Sequence, residues 1–187
     1  MPPASRTHPR PPPTAGRNVL ISHDHWDHLD SGDSGYFAEL AQIGERLGPF
    51  DVTLIDSGQY DSKWPDTHLS PELAVQANAL VGGKLMIPMH WGRFNLAPHS
   101  WTEPVERVRA EATCRDQSYL VLVPGVPTEP TTDAVAAQQQ WWPALPWRTA
   151  TEAPINPTVT ADPDQRVDID PCVTGGSLAE LADVRAR

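Results

Sequence analysis

The sequence has few cysteines, few basic residues and no long apolar runs, and each shortage excludes a class of protein. Its two cysteines, Cys114 and Cys172, lie far apart in 187 residues, so we expect no disulfide framework. There are 24 acidic and 14 basic residues, and a net charge of −10 disfavours binding to a nucleic-acid backbone. The longest apolar runs, residues 85–89 and 119–123, are far shorter than the ~20 residues that cross a bilayer.

Proline, in contrast, is abundant and unevenly placed. Of 21 prolines, six fall in residues 1–18 and nine in residues 124–187. We therefore expect one domain of about 100 residues, 19–123, between a Pro-rich disordered head, 1–18, and a mostly irregular Pro-rich tail, 124–187. The N-terminal residues lack the apolar stretch of a secretory signal, so a soluble, cytoplasmic protein is predicted.

Strand and helix patterns alternate along the middle of the chain. Helical spacing of apolar residues predicts helices over 36–47 and 102–114. A third helix is predicted from its ends, because Ser70 can cap it, Pro71 suits its first position and Gly82 can stop it. Short apolar runs predict strands at 18–22, 50–55, 84–88 and 118–123. The alternation predicts an α/β layer architecture.

The tail contains a tryptophan-rich strip, residues 141–147, with three tryptophans. It could bind a partner, or it could pack back on apolar surface of its own domain. The second interpretation is favoured, because an uncovered tryptophan is costly in water.

A histidine and aspartate loop follows the first predicted strand. His23, His25 and His28 are interleaved with Asp24 and Asp27. In a tight loop, the side chains of His23 and His25, two residues apart, can point to one side. Those of Asp27 and His28 can reach a second position a few ångströms away. Neutral imidazole and carboxylate ligands suit Zn²⁺, with Fe or Mn as alternatives. We interpret the loop as a metal site rather than as a solvated polar loop.

Further motifs follow this loop in order, and together they resemble a known family. These are Ser31-Gly-Asp-Ser-Gly-Tyr36, Gly58-Gln-Tyr60, Trp64, His68 ahead of Pro71-Glu72, and Pro88-Met-His-Trp-Gly92. With Ser22-His-Asp-His-Trp-Asp-His-Leu-Asp30, they resemble the metallo-β-lactamase-fold hydrolases. The similar branch contains N-acylphosphatidylethanolamine-hydrolysing phospholipase D and its bacterial relatives. The resemblance, over residues 19–123, implies a partial αββα sandwich, mainly its C-terminal half.

The resemblance also implies one or two bound metal ions and a role for each matching residue. The first ion would take His23 and His25, the second Asp27, His28 and His90, and Asp33 would bridge both. A hydroxide shared by the two ions would attack a phosphodiester or a related polar-lipid ester. Asp33 and His68 would be the catalytic residues, and His68 would contact the phosphate or protonate the leaving group. The expected partner is therefore a small-molecule or lipid-derived phosphoester.

Taken singly, three of these residues have simpler interpretations. Asp33 could be a turn aspartate, His90 a packed and hydrogen-bonded histidine, and His68 an ordinary loop histidine. Only their order behind the loop of residues 23–28 favours the functional interpretation.

The chain departs from the family in two ways, so we expect a truncated and internally deleted member. Pro-rich chain stands where strands are expected before Val19. Asp30 and Ser31 are adjacent, although the family has several dozen residues there, including the third histidine of the first metal site. One sheet face would then be exposed and liable to self-association. Three possibilities stay open: a metal-dependent hydrolase, a relative that binds one metal without turnover, and a gene remnant that needs a partner chain.

Overall fold

The computed structural model describes residues 18–20, 34–37, 40–158, 166–167 and 169–172. Three strands and four helices are formed within these ranges. In chain order they are β1 (Asn18–Leu20), α1 (Leu40–Leu47), β2 (Val52–Asp56), α2 (Pro71–Val81), β3 (Met86–Met89), α3 (Glu103–Cys114) and α4 (Thr132–Ala137). The predicted α/β class is confirmed. No helix among the described residues is long and apolar enough to cross a membrane.

The strands form one parallel sheet in the order β1-β2-β3. The register pairs Thr53 with Met86 and Asp56 with Met89, so β2 and β3 end side by side. Parallel neighbours need a crossover connection, and α2 provides it between these two strands. This register decides which side chains meet at the carboxyl edge of the sheet.

The predicted strand over 118–123 is wrong. Only Tyr119 forms an isolated parallel bridge, to Met86 of β3. Beyond it, the Val121 N–H donates to the side-chain oxygen of Gln138, and the Gln138 amide donates to the Tyr119 carbonyl. These two groups lie on the edge away from β3, because it is the Ser118 carbonyl and the Leu120 N–H that bond to Met86. The ladder to β3 ends there because the next donor on that edge of β3 would be Pro88, which has no backbone N–H.

The helix predicted from its ends is confirmed. Ser70 has extended backbone and its side chain accepts the Leu73 N–H, Pro71 is the first helical residue, and Gly82 ends the helix with φ +70°. The helix predicted over 36–47 is shorter, because α1 begins at Leu40. Residues 38 and 39 lie outside the described part.

The two faces of the sheet are covered differently. The helix-covered face packs against α1, α2 and α3 through buried side chains that include Leu40, Ile55, Leu73, Val81 and Val108. The opposite face is a smaller cluster of Leu85, Ile87 and Leu120, on which Ala134 and Val135 of α4 pack. The face expected to be open is therefore partly covered by the tail. Self-association through it stays a prediction.

The tail packs back on the domain, as the second interpretation of the tryptophan-rich strip proposed. Trp142 is buried beside Val105 and Val121, and its indole N–H donates to Glu106 at 2.9 Å. Trp141 stacks on Trp91 with 5.4 Å between ring centroids. The strip thus covers apolar surface of its own chain.

A disulfide corrects the expectation drawn from the cysteine spacing. Cys114, the last residue of α3, is joined to Cys172 in the tail. The Cys172 N–H also donates to the buried Glu111 carboxylate at 3.0 and 3.2 Å. Distance along the sequence was a poor guide here, because the tail returns to the end of α3.

Candidate metal centre

The site is built where β2 and β3 end. Asp56 is the last residue of β2 and pairs with Met89, the last residue of β3. One residue further on, the Ser57 N–H donates to the Met89 carbonyl at 3.2 Å. His90 therefore leaves the sheet directly beside Asp56.

His68 reaches the same point from the loop between β2 and α2. Its Nδ1 lies 2.9 Å from Oδ2 of Asp56. The loop is folded on itself, since the Trp64 indole N–H donates to the Gln59 carbonyl at 2.8 Å and the Thr67 N–H donates to the Trp64 carbonyl. A short compact loop thus carries His68 back to the strand end.

His90 is held in place by contacts of its backbone as well as by the nearness of its side chain to Asp56. It has a left-handed backbone, φ +64°, which turns the chain sharply after β3. The Gln59 amide donates to the His90 carbonyl, and that carbonyl lies so close to Gly58 that a Cβ there would be 2.0 Å away. Its Nδ1 is 3.4 Å from Oδ1 of Asp56.

The three side chains form a compact donor cluster. Each of Asp56, His68 and His90 offers one ligand atom, and these atoms lie within 4.8 Å of one another. The Asp56 side chain is 1% exposed, whereas those of His68 and His90 are 14% and 29% exposed. Imidazoles and carboxylates are the ligands that Zn²⁺, Fe and Mn accept and also the groups that orient such ligands, so the cluster fits a centre for a cation of this class.

The structure brings together two of the predicted site residues and adds one. His68 and His90 lie side by side, with ring centroids 4.9 Å apart. The other predicted site residues lie outside the described part of the chain: His23, His25, Asp27, His28 and Asp33. Their metal roles, and the roles given to His68 and His90, stay predictions.

Sequence reasoning missed Asp56. The available signal was its place, since it directly follows a buried apolar strand as His90 follows the next one. Carboxyl ends of parallel strands share one edge of a sheet, so two such residues in neighbouring strands are expected to meet.

Comparison with known families identifies the segment that carries this cluster. Residues 31–91 match the beta-lactamase superfamily domain. The match includes Asp56, His68 and His90. This segment is part of a metallo-β-lactamase-fold domain.

Two curated relatives are similar to part of this chain. An uncharacterized protein of Mycobacterium tuberculosis is 44% identical over 114 residues, which is 59% of this chain and 30% of that protein. An N-acyl-phosphatidylethanolamine-hydrolyzing phospholipase D of Caenorhabditis elegans is 31% identical over 99 residues, 49% of this chain and 28% of that protein. The chain thus spans less than a third of the length of either relative.

A solved structure, the novel metallo hydrolase Igni18 of Ignicoccus hospitalis, also matches. It is 27% identical, covers 51% of this chain and 37% of the solved chain, and has a TM-score of 0.39.

A loop with an apolar tip follows His90, just beyond the segment that matches the beta-lactamase superfamily domain. Phe94 and Leu96 are 64% and 71% exposed. The buried Gln59 side chain holds the loop, donating to the Phe94 carbonyl at 2.7 Å and accepting the N–H groups of Leu96 and Ala97 at 2.8 and 3.1 Å. One side chain thus fixes both His90 and the loop beyond it.

Proposed function

We propose that this chain is a metal-dependent hydrolase that cleaves a phosphodiester or a polar-lipid ester. The observation that carries the proposal is the cluster of Asp56, His68 and His90, inside the segment that matches the beta-lactamase superfamily domain. The C. elegans relative is named as a phospholipase D that hydrolyses an N-acyl-phosphatidylethanolamine, which supports this substrate class.

The cation would be held by His90 together with the predicted ligands that precede it in the sequence, which are His23, His25, Asp27, His28 and Asp33. Zn²⁺ is the preferred ion, with Fe or Mn as alternatives. Bound there, a cation of this kind supplies Lewis-acid activation of water and of the attacked ester.

His68 is assigned to proton transfer. Its Nδ1 faces Asp56, so Nε2 is the ring nitrogen turned away from Asp56, as contact with a substrate oxygen requires. A histidine whose Nδ1–H donates to a carboxylate can take up a proton at Nε2, as the imidazolium, and pass it to the leaving group, an effect commonly about 10²–10⁴-fold in rate. The ring is partly accessible and lies beside His90, as this role requires.

The apolar loop supports a substrate with an apolar part. Phe94 and Leu96 project from a loop that begins at His90, and the Arg93 guanidinium lies 5.4 Å from the centre of the Phe94 ring. An ester with a charged head and an apolar chain would match a cation and exposed apolar side chains placed next to each other.

The proposal is tested by measuring bound metal per chain and hydrolysis of bis(4-nitrophenyl) phosphate by the full chain. We expect His90→Ala to lower metal content. His68→Ala should keep the metal and lower kcat by roughly 10²–10⁴-fold. His99→Gln is the matched control, because it removes a histidine that is not part of the cluster.

The outcomes separate the possibilities left open by the sequence. Bound metal with turnover supports the hydrolase. One bound metal without turnover, on phosphodiester and lipid-ester substrates alike, would favour a binding protein. A folded chain that takes up no metal would rule out both.

A further inference from the structure

We propose that Asp56 is a positioning residue of this centre: its carboxylate orients the His68 imidazole so that Nε2 of this ring faces the site. The inference rests on the proposed function for its purpose, but its geometry is independent of it. No role for Asp56 follows from the motifs of the sequence.

The two carboxylate oxygens have different surroundings. Oδ2 lies 2.9 Å from Nδ1 of His68. Oδ1 accepts the Gly58 N–H at 3.1 Å and lies 3.4 Å from Nδ1 of His90. Nδ1 of His68 is therefore the ring nitrogen bonded to Asp56, and Nε2 lies on the opposite side of the ring.

The distance to His68 favours a hydrogen bond over shared coordination. Two ligands of one tetrahedral Zn²⁺, each about 2.05 Å from the ion, lie about 3.3 Å apart. The 2.9 Å separation of Asp56 and His68 is instead typical of an N–H donor and a carboxylate. Carboxylates that orient the imidazoles of metal sites in this way are common, and they fix the ring tautomer.

The tautomer follows from the chemistry of a carboxylate. An ionised carboxylate only accepts hydrogen bonds, so the His68 nitrogen that faces Oδ2 must carry the proton. His68 is then the Nδ1–H tautomer, with its Nε2 lone pair directed away from Asp56. Asp56 is nearly fully buried, which keeps water from competing for this bond.

Asp56→Asn is expected to change the tautomer of His68 in a defined way. An amide has one accepting oxygen and one donating NH₂ group. Because the Gly58 N–H needs an acceptor at the Oδ1 position, the amide oxygen is expected there and the NH₂ group faces His68. His68 must then accept at Nδ1, so its proton moves to Nε2.

The test is a long-range ¹H–¹⁵N NMR spectrum of the imidazoles, recorded on the metal-free full chain at about pH 8, where an ordinary histidine is neutral. We expect Nδ1–H for His68 in the unchanged protein and Nε2–H in Asp56→Asn. Asp51→Asn is the control, since it removes an exposed carboxylate that precedes the same strand and pairs with Lys84. Nε2–H in the unchanged protein, or no difference in Asp56→Asn, would overturn the proposal.

Metal titration separates positioning from coordination. His68 is assigned to proton transfer and not to the cation, so removing the carboxylate that orients it should leave the number of ions bound at saturation unchanged. If Asp56→Asn instead loses an equivalent of metal at saturation, Asp56 is a ligand and the inference is wrong. A chain that binds no metal at all would defeat the proposed function and leave the tautomer result standing.

Discussion

Arg107 is a fully buried guanidinium that joins α2, α3 and the tail. It donates to both Glu72 oxygens at 2.7 Å and to the Ala153 carbonyl at 3.3 Å. Burial alone would lower its pKa, but Glu72, Tyr60 and Glu103 together raise the pKa above its ordinary value. Bidentate pairing of this kind compensates for the burial of a charge. It also holds the start of α2, which directly follows the loop that carries His68.

His99 predicts a pH dependence of stability. It is buried, stacks on Tyr60 with 4.3 Å between ring centroids, and its Nδ1–H donates to the Ser100 carbonyl at 2.9 Å. Its Nε2 is buried with no hydrogen-bond partner among the described residues. Burial lowers the pKa of His99, because a second proton would have no acceptor.

The direction of the change in stability with pH follows from which state, folded or unfolded, binds the proton. Above about pH 6.5 both states hold a neutral His99 and it adds no pH dependence. Below that pH the unfolded chain takes up a proton that the folded chain does not. The free energy of unfolding should then fall by up to ~1.4 kcal/mol per pH unit until the folded-state pKa is reached.

Urea unfolding between pH 5 and pH 7.5, in parallel on the unchanged protein and His99→Phe, measures this effect. Phenylalanine keeps a ring against Tyr60 but does not titrate, so the fall in stability should be smaller in the variant. Equal pH dependence in the two proteins would show that His99 is not the group responsible.

The joint between β2 and β3 gives a prediction at the scale of elements. The Gly58 Cα lies against the His90 backbone, and an added Cβ would be 2.0 Å from the His90 carbonyl oxygen. Backbone cannot move aside as a flexible side chain can, so Gly58→Ala should push the strand ends apart. We expect lower stability and at least tenfold weaker metal binding, read by thermal unfolding and metal titration.

Gly125→Ala is the matched control. Gly125 also needs its glycine, with φ +81°, but no atom lies within 4 Å of an added Cβ. It should cost about 1 kcal/mol of stability and leave metal affinity unchanged. Equal metal affinity in the Gly58 and Gly125 variants would contradict the packing argument.

The elements also show how far sequence reasoning reaches. The helix α2 was predictable because its signals are local, with Ser70 and Pro71 at one end and Gly82 at the other. The strand over 118–123 was not, because its ladder to β3 ends where Pro88 offers no N–H, which depends on the register of the two segments. Asp56 was missed for a similar reason, since its role depends on the register of β2 against β3.

For the whole molecule, the described part of the tail, residues 124–158, 166–167 and 169–172, acts as a structural part of the domain. It places α4 on the sheet face opposite the helices and Trp142 in an apolar cluster with Val105 and Val121. Ile169 packs against the helix-covered core, and the disulfide fixes the chain three residues later. Composition alone indicated a loose tail because proline and polar residues dilute the few apolar side chains that anchor it.

The disulfide gives the last prediction. Cys114 and Cys172 close a loop of 58 residues, and such a bond commonly adds about 2–4 kcal/mol by restricting the unfolded chain. Reduction should lower the Tm of a chain of this size by roughly 10 °C. Thermal unfolding with and without dithiothreitol measures the shift. The double variant Cys114→Ser, Cys172→Ser should have the Tm of the reduced protein, and the reductant should not change that Tm.

The result also bears on the predicted cytoplasmic location, because a reducing cytosol would keep the bond open and the tail less firmly held. Two reactive thiols without reductant, with an unchanged Tm, would show that the tail is held by its other contacts without the disulfide.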